Sequence, residues 1–296
     1  MEKTYKKTLG LFRSHQVNKE INSLDPVTDH CRIVHLLGGY EFPWDSVRAL
    51  EIALMRTFCS PSISGLLHRT GEFRNHGQKR YDDTALLVAE FMQNGYESDK
   101  GKRAIDHMNK IHGMYKINNE DYLFVLSTFI FLPIQWIENY GWRKPTEKEK
   151  QAIYYFFRAV GERMNLQNIP GSLEAFAEFV KEYEEKYFVF DETNKHVGNA
   201  TINIVKGWMP SFAKAIVLPV ISCFLDEKMI RALGYKLPSP VLRSMVKFSM
   251  RVRAFFLRYI TFKSYPSFFT TDKNRTYPKG YEIEKLGPVA VVRKIS

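Results

Sequence analysis

The sequence predicts an all-α protein folded as a single domain. Apolar residues recur at helical spacing through most of the chain, and helix-start and helix-stop residues sit at the ends of those stretches. The two most apolar runs, Tyr122 to Ile137 and Phe212 to Leu225, are too short and too interrupted by Pro133, Gln135, Lys214 and Pro219 to span a bilayer, so both are expected inside a helical core. A chain of 296 residues with 45% hydrophobic content can bury one large core.

In order along the chain, Pro43-Trp44-Asp45 leads into a helix from Ser46 to Thr57, with Val47, Leu50, Ile52, Leu54 and Met55 as buried positions, and Ser60-Pro61-Ser62 breaks it. The next helix aligns Arg80, Thr84, Leu87 and Phe91 at i, i+4, i+7 and i+11. After it, Ile105, Met108, Ile111, His112 and Tyr115 share one stripe, opposite Lys102, Asp106, Asn109 and Lys110. His107 lies about 140° round that helix from His112, near the polar edge, so the two imidazoles cannot hold one ion side by side. Asn119-Glu120-Asp121 caps the long apolar helix, which Gly141 and Lys144-Pro145 end. Thr146 then opens another helix, with Glu149 in capping-box position. Ile153, Phe156, Phe157, Val160 and Met164 stripe that helix, and Leu173 to Phe188 follows with the EYEEK string on a solvated face. Ile169-Pro170-Gly171-Ser172 and Leu237-Pro238-Ser239-Pro240 are connections, and the tail after Tyr265 carries turn signals with short extended pieces.

Arg80, Thr84 and His112 are polar groups on apolar helix faces, where they need partners. An inward neutral imidazole is a good axial ligand for haem iron, and equally a core histidine satisfied by hydrogen bonds. A buried guanidinium suits a haem propionate or an acidic substrate group, and equally a structural pair with Asp82 or Asp83. Periodicity alone leaves both residues open.

The strings TGEF (Thr70 to Phe73), KRYDDT (Lys79 to Thr84), MNKIHG (Met108 to Gly113), INNEDYLFVLSTFIFLPIQWI (Ile117 to Ile137), YGWR (Tyr140 to Arg143), Ile169-Pro170 and GYEIEKLGP (Gly280 to Pro288) together resemble the MpaB-like oxygenases, a family that includes the rubber oxygenases. The resemblance covers roughly residues 40–290 as the catalytic domain and leaves 1–39 as an N-terminal segment. It implies an all-helical haem b protein, globin-like in the rubber oxygenases, whose characterised members cleave isoprenoid carbon–carbon double bonds with dioxygen. By position it makes His112 the proximal iron ligand and places Arg80 and Thr84 near the distal pocket, as catalytic residues, with Arg80 also binding cofactor. Two departures set this chain apart from the rubber oxygenases: no carboxylate stands around Ser60 to Leu67 where they carry a distal glutamate, and Asp83 stands where they can have a lysine. The match is to the MpaB-like branch, and rubber cleavage is not implied.

Cys31, Cys59 and Cys223 show neither CxxC nor CxxCH spacing, which excludes a zinc-finger pattern and covalent c-type haem and points to a reducing compartment. The start MEKTYKKTLG lacks the apolar run of a signal peptide, so a cytoplasmic chain with no transmembrane helix is expected.

Net charge is +11. Val241 to Lys263 interleaves Arg243, Lys247, Arg251, Arg253, Arg258 and Lys263 with Met245, Phe248, Phe255, Phe256 and Tyr259. Such a stretch is either a peripheral contact with an anionic membrane or a core helix with a solvated basic face. No RNP, KH or zinc-finger pattern accompanies it to support a nucleic-acid partner. Glu192 with His196 reads as a surface pair rather than part of a di-iron site, and His68 and His76 are reserve loop ligands. Arg143 suits a propionate or helix-terminal carbonyls. The leading expectation is a haem-dependent oxygenase taking dioxygen and a hydrophobic isoprenoid or lipid-like substrate. The alternatives are a non-catalytic haem or lipid carrier or sensor, and a peroxidase-like enzyme lacking an evident distal histidine.

Overall fold

The computed structural model describes residues 15–260 and 266–295. The lysine-rich start of the chain, on which the signal-peptide reading rests, and Lys263 lie outside the described residues. The rest is helical, with no strand among the described residues. The elements are α1 (Gln16–Ser23), α2 (His30–Leu36), a π-helical turn (Leu37–Glu41), α3 (Pro43–Thr57), α4 (Pro61–Thr70), α5 (Glu72–Asn75), α6 (Gly77–Asn94) and α7 (Asp99–His112). There follow α8 (Asn119–Tyr140), α9 (Glu147–Arg163), α10 (Leu173–Tyr187), α11 (Glu192–Trp208), a 3-10 turn (Ser211–Ile216), α12 (Val217–Ser222) and α13 (Glu227–Ala232). The chain ends with α14 (Pro240–Tyr259), a second 3-10 turn (Ile283–Lys285) and α15 (Val289–Ile295).

The apolar helix α8 organises the molecule. Its Ile130 and Ile134 join Leu36, Leu86, Ala104 and Phe156 in one apolar cluster, while its Leu132 and Trp136 join Ala49, Phe58, Ile202 and Leu233 in another. It is long and apolar enough to cross a membrane by composition, yet most of its most apolar window is buried inside the bundle, with α3 packed along it. Its start and stop are locally encoded. The Asn118 side chain accepts the Asp121 N–H at 2.7 Å, and at the next helix Glu149 N–H donates to Thr146 Oγ1 at 3.2 Å while Thr146 N–H donates to Glu149 Oε2 at 2.7 Å, the expected capping box. Pro43 at the first turn of α3 starts that helix three residues before Ser46. Along it Ile52 and Met55 are buried, whereas Val47, Leu50 and Leu54 are half-buried.

Two glycines fold α7 back on α6. Gly95 adopts φ +82°, a conformation other residues resist, and a Cβ on Gly101 would meet the Gly95 carbonyl oxygen at 2.0 Å. The tail then clamps the corner. Tyr281 donates to Glu90 at 2.5 Å, Tyr277 to Asp83 at 2.5 Å, and the Lys79 ammonium to the Gly287 carbonyl at 2.7 Å. The short extended pieces expected there are irregular segments around a 3-10 turn.

Tertiary packing corrects four expectations. His107 is not at a polar edge: it is 5% exposed, its Nε2 2.7 Å from the Leu286 carbonyl of the tail. Within EYEEK, Tyr183 and Glu184 are buried, Glu184 because it pairs with Arg56. The segment after Pro210 is not wholly interior, since Phe212 is 87% exposed and Ile216 lies outward as well. Helix α14 buries Met250 alone and turns an apolar stripe, not only a basic face, to solvent.

Candidate functional site

The α6–α7 corner brings the three sequence-predicted residues together. Arg80 and Thr84 lie one turn apart on α6, and His112 is the last residue of α7. All three are half-buried on helices whose neighbouring positions Leu87, Phe91, Ile105 and Ile111 are buried.

Neither nitrogen of the His112 ring makes a hydrogen bond among the described residues, and Nδ1 is fully enclosed without a partner. The Tyr122 ring lies edge-on to the imidazole at 5.6 Å. Burial, and secondarily the Arg80 charge, lowers its pKa to about 4, so the ring is neutral at pH 7 with a lone pair to give. This is not a core histidine satisfied by hydrogen bonds.

Arg80 makes a similar demand. Neither Asp82 nor Asp83 pairs with it: Asp82 accepts from Thr276, and Asp83 from Lys79 at 2.6 Å and from Tyr277. Among the described residues no carboxylate forms an ion pair with Arg80. Its guanidinium donates to Thr84 Oγ1, which in turn donates to the Arg80 carbonyl at 3.0 Å, and its Cζ stands 5.3 Å over the Phe73 ring. Burial lowers its pKa below the usual guanidinium range despite the opposing charges of Asp83, Glu72 and Tyr115. A cation enclosed with a hydroxyl and a ring face, but no paired anion, is an incomplete site.

One neighbour, Glu72, escapes helical periodicity, while Tyr115 belongs to the His112 stripe. Glu72 opens the short helix α5 after Gly71, which has φ +69°, and its charge acts on both Arg80 and Tyr115. The Tyr115 phenol is held above its ordinary pKa by burial and then by Glu72, so it stays a proton donor at neutral pH. The TGEF string contains Glu72, but nothing in its spacing says that a reversal at Gly71 turns it toward Arg80.

The other candidates fall elsewhere. His68 is on α4, not in a loop, and stacks on His196 with ring centroids 5.1 Å apart. Both line a cleft of about 300 Å³ between α4, α5 and α11, whose wall includes Phe73 but none of Arg80, Thr84 and His112. His76 is exposed at the start of α6, and Glu192–His196 is a surface pair at 4.0 Å. Arg143 is occupied by Glu41 and Glu149. No three His, Cys, Asp or Glu side chains converge on a metal position among the described residues. An imidazole without a hydrogen bond beside a guanidinium without an ion pair is the donor chemistry that a macrocycle with its own equatorial ligands and acidic side groups would need from a protein.

One consequence is testable without cofactor. Between pH 6.5 and about 4 the unfolded chain protonates His112 and the folded chain does not, so stability falls as pH falls through that window and gains nothing above it. Haem-free protein is expected to lose up to about 1.4 kcal/mol per pH unit there through this one group. Urea titrations of His112→Leu should show that slope reduced; an unchanged slope would remove His112 as its source.

Residues 47–257 match the family described as ER-bound oxygenase mpaB/B'/Rubber oxygenase, catalytic domain. The chain is 28% identical over 239 residues to the ER-bound oxygenase mpaB' of Penicillium brevicompactum, an alignment covering 75% of this chain and 56% of that protein. It is 28% identical over 213 residues to the ER-bound oxygenase mpaB of Penicillium roqueforti, covering 66% and 72%, and 31% identical over 173 residues to mpaB of Penicillium brevicompactum, covering 52% and 44%. The chain thus spans about half the length of the first of these relatives, with 56% covered.

Proposed function

Because this chain belongs to the MpaB and rubber oxygenase family, we propose that it is a haem b-dependent oxygenase acting with dioxygen on a hydrophobic, isoprenoid or lipid-like substrate. Oxidative cleavage of a carbon–carbon double bond is the reaction class in view. The observation that carries the reading is the pairing of an unbonded neutral imidazole, His112, with a guanidinium, Arg80, that has no carboxylate partner. Haem b, when bound, would supply the iron that activates dioxygen.

The residues divide the work. His112 would hold the iron through its free lone pair. Arg80 would bind a propionate or the polar end of a substrate, with Thr84 fixing the guanidinium through its hydroxyl. Tyr115 supplies a protonated phenol, and Glu72 a carboxylate whose charge is felt at Arg80 without forming an ion pair with it. The Phe73 ring, shared between the cleft and Arg80, would exclude water from the cation and give an apolar substrate a surface to cross. The relatives are named ER-bound. For this chain we place the enzyme where a lipid-soluble substrate is met.

The direct test is oxygen uptake by haem-loaded protein with a panel of prenylated and fatty substrates. Substrate-dependent uptake supports the oxygenase. Reversible ligand binding without uptake for any of them assigns a carrier or sensor, and turnover with peroxide alone a peroxidase. A second expectation separates function from packing. Arg80→Met should leave haem-free protein as stable as the parent or more so, because it removes a buried cation without an ion pair, while lowering oxygen uptake at least about tenfold. Equal destabilisation and loss of uptake would make Arg80 a structural residue.

A further inference from the structure

Helix α14 presents an apolar stripe that no other part of the described chain covers. Val241, Met245, Phe248, Val252, Phe255, Phe256 and Tyr259 fall within about 100° of one another round the helix. They are 70%, 63%, 68%, 37%, 61%, 48% and 53% exposed, whereas Met250, on the opposite side, is buried. Scattered exposed apolar residues are ordinary, but seven aligned along twenty residues, four of them aromatic, are not. The neighbouring 3-10 turn, which runs into α12 beside α14, leaves Phe212 and Ile216 exposed too.

The charges identify what covers the stripe. The helix carries five cations, Arg243, Lys247, Arg251, Arg253 and Arg258, and no acidic residue. Lys247, Arg251 and Arg258 are exposed and share one flank of the apolar stripe at the same helical spacing. Arg253, on the other flank, is neutralised by Asp45 at 3.0 Å and pins the helix to α3, with its guanidinium 3.9 Å over Trp44. Arg243, on the inner side, has no ion-pair partner among the described residues, so its charge adds to the field. A second copy docking through this stripe would bring uncompensated cations together without an acidic counterpart. A lipid surface carrying anionic headgroups answers both features: acyl chains take the aromatic stripe and headgroups the flanking cations.

We propose that α14 is an in-plane docking helix that seats this protein on an anionic membrane surface. Arg253–Asp45 holds it to the body, so the seat has a fixed orientation relative to α3 and α8. The proposal is independent of the cofactor assignment, and its test reads partition, not turnover.

Full-length protein should co-sediment with vesicles of phosphatidylcholine containing about a third phosphatidylserine, more weakly with phosphatidylcholine alone, and less as salt rises. Phe248→Glu with Phe255→Glu, both exposed positions, should lower partition at least about tenfold while leaving the melting temperature in place. Lys247→Glu, Arg251→Glu and Arg258→Glu together should do the same on the anionic vesicles. Phe255→Trp should shift its emission to the blue on those vesicles and not in buffer. Absence of partition on either vesicle, or partition that both sets of substitutions leave intact, would overturn the proposal. A blue shift that grows with protein concentration in buffer, alongside a doubled mass in solution, would assign the stripe to a second copy instead.

Discussion

His112→Ala is expected to abolish haem retention: purified protein should lack the Soret band, and substrate-dependent oxygen uptake should fall by more than about 100-fold. The size of the effect follows from the donor set. Among the described residues no group of three His, Cys, Asp or Glu side chains could hold a metal in its place, so under the proposed assignment removing this ring would remove the protein's ligand to the iron. The control is His107→Ala. That ring is buried and tied to the Leu286 carbonyl at 2.7 Å, so its loss should cost stability and leave the band in place. A Soret band of parental position and intensity in His112→Ala would sink the axial assignment, and a colourless parent after expression with ample haem would sink the cofactor itself. Free imidazole offers a further arm: it should restore the band to His112→Ala if the cavity is otherwise intact.

Those two histidines show what was legible in the sequence. The inward direction of His112 follows from its own helix, where Ile105 and Ile111 on the same stripe are buried. The burial of His107 does not, since its partner arrives from the tail, 179 residues away, and covers a face that local periodicity reads as polar. Glu184 is misplaced by local reading for the same reason, its cation coming from α3. The cap at Thr146 is readable because both partners lie within one turn, whereas the cap of α8 falls on Asn118, one residue before the Asn119-Glu120-Asp121 string expected to supply it. Helix α14 marks another limit. Amphipathic spacing divides its residues into two sets correctly, but which set meets the body is decided by Arg253–Asp45 and by the packing of α12, neither of which periodicity contains. Glu72 joins the site through the positive φ of Gly71, a backbone reversal with no helical period to announce it.

The largest stability effect is expected away from the site, at Arg143. Its guanidinium contacts Glu149 at 2.6 and 2.8 Å and Glu41 at 3.0 and 3.2 Å, and stands 5.0 Å over the Phe42 ring. Burial opposes the charge, but the two carboxylates outweigh it and hold the pKa above the usual guanidinium range. Glu41 and Glu149 are 3% and 1% exposed, so each depends on this cation far more than a surface partner would. Glu149 also accepts the Thr146 N–H, so the start of α9 is tied to the same ion network that fixes the π-helical turn at Glu41. Arg143→Met keeps most of the apolar bulk and strands two interior carboxylates. It should cost about 3–5 kcal/mol and lower the melting temperature by roughly 10 °C. Combining it with Glu41→Gln and Glu149→Gln should recover much of the loss, because the charges rather than the volume set the penalty. Recovery would locate the effect in the triad. Were the triple variant no more stable than Arg143→Met, the stacking on Phe42 would be the interaction that matters.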